Sequence, residues 1–185
     1  MKDQPKGRCK RVIVLDTSAF LAGFDPFSQG DEQVTVPKVE EEILRNCMIK
    51  MRFQTALESE KVKVRSPSEE STLMARAAAS KVGDSFKLSV ADMQLLALAV
   101  ELKAAGFMPQ IVTDDYSIQN VARELSIDFF ALATFGIKRL LEWIRYCPAC
   151  HRQYPADYKP KECQVCGTEL KRKPSKNARK ASTAK

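Results

Sequence analysis

The sequence predicts an α/β fold in three layers, a parallel sheet between helices, with a small cysteine-rich module after it. Three observations lead there. Val12, Ile13, Val14 and Leu15 form an apolar, mostly β-branched run that stops at Asp16, and Ile111 and Val112 lie in a second run that stops at Asp114. Uninterrupted runs of this kind belong to strands buried on both faces. Strand-like and helical stretches alternate from there on, which favours a parallel sheet. Finally, two C-x-x-C pairs, Cys147 with Cys150 and Cys163 with Cys166, lie close together late in the chain.

With 185 residues, 44% of them apolar, the chain can build one ordinary core and a small appendage. No apolar run is long enough to span a bilayer and no signal-peptide core opens the chain, so a soluble, cytoplasmic protein without membrane contact is expected. The net charge of +7 is uneven. Seven of the 30 basic residues, Lys171, Arg172, Lys173, Lys176, Arg179, Lys180 and Lys185, follow Leu170 with no acid among them; the other 23 balance the 23 acids. A neutral body with a basic tail points to a nucleic-acid partner.

In order, residues 1–10 read as a flexible basic lead-in and residues 11–15 as the first strand. Ala19 to Ala22 is a short apolar segment, and residues 23–33, with Pro26, Gly30 and Asp31, form a loop. Val34 to Val36 make a second strand closed by Pro37. Val39, Ile43, Cys47 and Met51 recur every four residues, predicting one helix over 39–59 with Cys47 in the core. Residues 61–64 alternate as a strand. Ser68 with Glu69 and Glu70 starts a helix that stops at Gly83. Ser89 and Asp92 have capping-box spacing, and residues 93–102 are apolar nearly all round, as in a buried helix. A strand over 110–113, a helix over 117–125 and a strand over 128–132 complete the series. Leu140, Leu141, Trp143 and Ile144 predict a short helix over 136–146. The expected units are a nuclease-sized domain over 11–133, a connection over 134–146, a ribbon over 147–170 and a disordered basic tail over 171–185.

Acids gather at one edge of this design. In a parallel α/β unit the strand C-termini and the N-termini of the following helices share an edge, where ligands bind. Asp16, Asp114 and Asp115 end strands, Asp92 opens a helix, and Glu40, Glu41 and Glu42 lie in the first turns of another. Carboxylates this close need a counter-charge, and an all-oxygen site suits Mg²⁺ or Mn²⁺. Such a cation can activate water and stabilise the leaving group of a phosphodiester. The single histidine, His151, lies among the cysteines, so histidine-based RNA cleavage is not expected. Helical periodicity alone favours Glu40 over Glu42 as the inward glutamate.

The cysteine spacing is that of a closed, tetrahedral four-thiolate zinc site, structural rather than catalytic, whose metal supplies the folding energy of a module too small for its own core. Arg145, Arg152, Lys159, Lys161, Lys171, Arg172 and Lys173, interleaved with Tyr146, Tyr154 and Tyr158, are candidate RNA contacts. The tyrosines could equally form the ribbon's small core.

Asp16 with Thr17 and Ser18, Val39 with Glu42 and Ile43, Leu88 and Ser89 with Ala91 and Asp92, and the run Thr113 to Asn120 together resemble PIN-domain metal-dependent ribonucleases over about residues 11–132. With the cysteine module, the chain resembles the Nob family of small-subunit rRNA maturation endonucleases, and its compact length resembles archaeal members. The resemblance implies a site of Asp16, Glu42, Asp92 and Asp115, with Asp114 beside it. It also implies a substrate, the 3′ end of the small-subunit (16S) rRNA precursor inside a pre-ribosomal particle with its assembly factors. A toxin-type PIN ribonuclease acting on tRNA or mRNA is the enzymatic alternative, although such toxins usually lack a ribbon. A non-cleaving RNA-binding assembly factor is the alternative of another class. A haloacid-type phosphatase is disfavoured, because Ser18 stands where that family has its second aspartate.

Overall fold

The computed structural model describes residues 10–138 and 140–175. The lead-in over 1–9 and the tail over 176–185 lie outside the described residues. Five parallel strands form the central sheet in the order β3-β2-β1-β4-β5. They are β1 (Arg11–Leu15), β2 (Glu32–Thr35), β3 (Val62–Val64), β4 (Met108–Val112) and β5 (Asp128–Phe130). The chain moves outward from β1 through β2 to β3, then crosses back to lay β4 against the other side of β1. Right-handed crossovers therefore place the helices of the two halves on opposite faces, giving three layers.

Helix α1 (Thr17–Leu21), α2 (Pro37–Leu44) and α3 (Cys47–Glu58) pack on one another. Phe20 and Phe53 meet edge-to-face there, with ring centroids 5.2 Å apart. On the other side lie α4 (Glu69–Val82), α5 (Val90–Ala104) and α6 (Tyr116–Glu124). Helix α5 touches α4, α6, β1 and β4, which explains why its apolar residues wrap the whole circumference: Leu95, Leu96, Leu98, Val100 and Leu102 are all buried. Among the described residues no helix is long and apolar enough to cross a membrane.

The expected single helix over 39–59 is two helices. Asn46 leaves the helical conformation and accepts a hydrogen bond from the Met48 amide at 3.1 Å, capping α3. The four-residue stripe is thereby broken: Val39 and Ile43 are buried, whereas Cys47 and Met51 are exposed. Cys47 is not a core residue.

The expected helix over 136–146 is absent. Among the described residues of 131–142 none lies in a helix or strand, and Trp143–Tyr146 form strand β6. It pairs antiparallel with β7 (Gln153–Tyr154) and β8 (Lys171–Pro174). The start of the supposed disordered tail is thus an edge strand of the ribbon sheet. Charged side chains did not prevent its pairing, because Arg172 and Lys173 lie over the rings of Trp143 and Tyr146 at 4.6 and 4.7 Å.

The ribbon is docked on the sheet domain. Gly83 closes α4 in the left-handed conformation, φ +78°, and a side chain there would come within 2.7 Å of the Trp143 carbonyl oxygen. The next residue, Asp84, is buried; one of its carboxylate oxygens accepts from Arg172 of β8 at 2.7 Å and the other from the Asn120 amide at 2.6 Å. Asn120 also exchanges both of its amide hydrogen bonds with the backbone of Leu141.

Candidate active site

Strands β1 and β4 are parallel neighbours in register, Leu15 opposite Val112, and the order in which the chain adds strands to the sheet switches from one side of β1 to the other between them. That is the switch point at which open parallel sheets bind ligands. Asp16 and Thr113 follow directly, and the Asp16 amide donates to the Val112 carbonyl at 3.2 Å. The Asp16 side chain is only 6% exposed. Its carboxylate accepts from the Thr17 amide at 2.7 Å, the Ser18 hydroxyl at 2.6 Å and the Thr113 hydroxyl at 2.8 Å. Burial pushes its pKa above the ordinary carboxylate range, against the opposing pull of the Ser18 and Thr113 hydroxyls and the Thr17 amide.

The other acids arrive from three helices. Asp92 completes a reciprocal capping box at the start of α5, accepting from the Ser89 amide at 2.7 Å. Its pKa is also raised, first by burial and further by the negative charges of Asp16 and Asp115, while the Ser89 hydrogen bonds hold it down. These charges therefore sit within electrostatic reach of one another. Asp115 caps α6, accepting from the Ser117 amide, and its own amide donates to the Thr113 hydroxyl. Glu42, on α2, accepts from the Thr17 hydroxyl at 2.6 Å. Thr113 and Thr17 thus tie Asp115 and Glu42 to the Asp16 turn.

Asp114 is placed differently. Its carboxylate accepts from the amides of Ala133 and Thr134 and from the Thr134 hydroxyl. Burial alone would raise its pKa, but these donors outweigh it and leave the carboxyl below its ordinary value. Asp114 holds the loop after β5 and is not turned toward the other acids.

The donor set fits a hard divalent cation in kind, all oxygen and of uncompensated charge. Among the described residues, none of the ion pairs involves Asp16, Glu42, Asp92 or Asp115. The carboxylates are nonetheless not drawn into one tight knot. The only group of three or more possible ligands within 4.8 Å of one another, among the described residues, is Cys147, Cys150, Cys163 and Cys166. Their sulfurs approach to 3.3 Å (Cys147 to Cys166) and 3.5 Å (Cys150 to Cys163), near the edge of about 3.8 Å of a tetrahedron built on Zn–S bonds of about 2.3 Å. The Tyr154 hydroxyl, 3.0 Å from Cys163 Sγ, is the main reason the Cys163 thiol is pulled down to about 6, the thiolate form a metal needs.

Comparison with known proteins places the chain in a family. Residues 13–102 match the PIN domain of ribonuclease. Over 164 residues the chain is 40% identical to the endoribonuclease Nob1 of Methanothermobacter thermautotrophicus, covering 89% of this chain and 94% of that one. The chain belongs to the Nob1 endoribonuclease family. The Nob1 of Methanocaldococcus jannaschii is 37% identical over 175 residues, 95% of this chain and 84% of that protein. A more distant relative, the ribonuclease VapC1 of Thermoplasma acidophilum, is 34% identical over 161 residues, 87% of this chain and 77% of its own.

Several candidate RNA contacts of this Nob1-family chain have internal partners. Arg172 is paired with Asp84, and Arg145 donates to the Pro160 carbonyl while lying over Phe86. Tyr154 is buried and stacked on Tyr158, centroids 4.4 Å apart, so these two form the ribbon's core. Arg152, Lys159, Lys161 and Lys171 are exposed. Glu40 makes no contact with the Asp16 turn comparable to that of Glu42. Sequence reasoning missed Asp84, Gln119 and Asn120. Gln119 is buried, donating to the Thr113 carbonyl and accepting from the Ile137 amide, so α6 holds both the acidic turn and the connecting segment. The adjacency of Gln119 and Asn120 to Asp115 within one motif was their signal; Asp84 had none.

Proposed function

We propose that this protein is a divalent-metal-dependent endoribonuclease that matures the 3′ end of the small-subunit rRNA precursor, acting on RNA within a pre-ribosomal particle. The observation that carries the catalytic part is the buried Asp16 carboxylate at the β1/β4 switch point, with Asp92 and Asp115 raising the local negative potential and Glu42 tied in through Thr17. In this reading Asp16, Glu42, Asp92 and Asp115 hold Mg²⁺ or Mn²⁺. The bound cation would neutralise these acids, activate water and stabilise the leaving oxygen. The chain's own residues do the rest. Ser18 and Thr113 fix the Asp16 oxygens, the capping box orients Asp92, and Asp114 braces the neighbouring loop. The four cysteines would hold a structural zinc, and the exposed lysines and arginines of the ribbon would meet phosphates. The units we propose are a nuclease domain to about residue 133, a connecting segment, and a ribbon that extends from Trp143 through β8.

The Nob1 relatives support an RNA substrate, and the specific one proposed is tested directly. The zinc-loaded protein is incubated with Mn²⁺ and an RNA spanning the small-subunit rRNA 3′ end, beside the Asp16→Asn variant. One metal-dependent cut at the mature end, slowed about a hundred- to a thousandfold in the variant while RNA binding persists, is expected on the scale of removing a main source of transition-state charge stabilisation. The VapC-named relative supports a second reading, a ribonuclease acting on tRNA or mRNA; preferential cutting of those RNAs would favour it. Undiminished cleavage by Asp16→Asn would sink the metal mechanism.

A further inference from the structure

Between the sheet domain and the ribbon runs a cleft of about 520 Å³, within the range of about 300–1,000 Å³ that small-ligand sites occupy. Its floor is the buried contact of Asp84 with Asn120 and Arg172. Lys87 and Tyr116 rise from the nuclease side, and Trp143 and Lys171 from the ribbon. Two features separate it from the larger groove beside α4 and α5, of about 570 Å³, which Arg76 lines as its only cation and which has no aromatic residue.

The first feature is its position. Tyr116 directly follows Asp115, and Lys87 stands two residues before Ser89, whose amide the Asp92 carboxylate accepts. The cleft walls are therefore continuations of the two turns that carry Asp92 and Asp115. The second is its chemistry. Tyr116 is 52% exposed, and among the described residues its hydroxyl makes no hydrogen bond. Lys87 and Lys171 are exposed and take part in no ion pair among the described residues. The one carboxylate in the floor, Asp84, is neutralised by Arg172, so it does not repel an anion. An open aromatic ring sharing one cleft with two cations that make no ion pair among the described residues matches a single-stranded nucleotide, which offers a flat base between two phosphates.

We infer that this cleft seats one nucleotide of single-stranded RNA beside the bond to be cut, its base against Tyr116 and its flanking phosphates on Lys87 and Lys171. The inference rests on the endoribonuclease reading for its substrate class. Tyr116 sets which nucleotide lies next to the acids, and the ribbon contributes Lys171 to a site the nuclease domain cannot complete alone. Arg172 acts here as a positioning residue, holding β8 in place through Asp84.

The test uses the full-length, zinc-loaded chain carrying Asp16→Asn, so that binding is read without cleavage. The probe is a fluorescent single-stranded RNA of the rRNA 3′-end sequence, titrated at several KCl concentrations. Lys87→Ala with Lys171→Ala should make the slope of log K against log [salt] shallower by about 1.4, two single-strand phosphates at about 0.7 each. Tyr116→Ala should weaken binding about tenfold, the size of one lost base stack, while Tyr116→Phe binds like the parent. Replacing the nucleotide beside the cut by an abasic one should abolish the difference between Tyr116→Ala and the parent. An unchanged salt slope with an unchanged affinity in Tyr116→Ala overturns the inference, and so does equal weakening by Tyr116→Phe. Cleavage of the same RNA by the unsubstituted protein with Mn²⁺ is scored separately: its absence counts against the endoribonuclease reading, while the slope and the abasic probe still decide the cleft.

Discussion

Asp16 is a carboxylate that three donors orient but no cation neutralises among the described residues. Because its folded-state pKa lies above the ordinary value, the folded chain binds more protons than the unfolded chain between the two. Stability from this group is therefore full below the ordinary carboxylate pKa and falls as pH rises through the raised one. At neutral pH, in buffer free of Mg²⁺ and Mn²⁺, Asp16→Asn should melt at a higher temperature than the parent, with about 2–4 °C for each kcal/mol relieved. Adding Mn²⁺ should reverse the order, since a ligand at a hundred times its Kd stabilises the binding form by about 2.7 kcal/mol. Thermal melts with and without Mn²⁺ check this, and a parent that is the more stable of the two without Mn²⁺ would contradict it. The acids at strand ends and helix starts were legible in the sequence because those positions share one edge by topology. The choice between Glu40 and Glu42 was not. Periodicity reports which face of α2 is buried, whereas Glu42 is exposed and reaches Asp16 only through Thr17, a contact between elements.

At the scale of elements, the caps decide where the sequence could be followed. The strands of the parallel sheet were readable because burial on both faces leaves apolar runs, and α4 and α5 because Ser68, Gly83 and the Ser89 box mark their ends. The break at Asn46 was hidden, since the four-residue stripe continues through it in sequence although not in space. Strand β6 read as a helix because its apolar residues also have helical spacing, and strands this short have no alternation long enough to compete. Asn46→Ala should cost about 1 kcal/mol, the usual worth of a side-chain cap. Gly83→Ala should cost more, because the left-handed conformation alone costs about 1–2 kcal/mol and the new methyl would strike the Trp143 carbonyl. Urea melts of both variants give the comparison, and a Gly83→Ala chain no less stable than Asn46→Ala would be at odds with this docking.

The whole molecule is two modules whose described contacts include a buried polar one, Asp84 with Asn120 and Arg172, beside the packing of Gly83 on Trp143. In the sequence Arg172 stood out only as a candidate RNA contact, Asn120 only as the end of a motif and Asp84 not at all, because their shared contact exists only once the ribbon sits on the sheet domain. Trp143 is the chain's single tryptophan, placed in β6 under Arg172 and against Gly83. Removing the metal proposed for the cysteine cluster with a chelator, or Cys147→Ser, should therefore change the tryptophan emission toward that of a water-exposed indole while far-UV circular dichroism keeps the helical signal of the nuclease domain. Loss of both signals together would mean that the sheet domain depends on the ribbon for its own folding. Strand β8 is also the last described element to leave the ribosome, and domains fold largely as they emerge. The turns carrying Asp16, Glu42, Asp92 and Asp115 are all complete before it appears. Strand order along the polypeptide thus brings the acids out before Lys171 and Arg172, the residues proposed to meet RNA and to hold β8 in place.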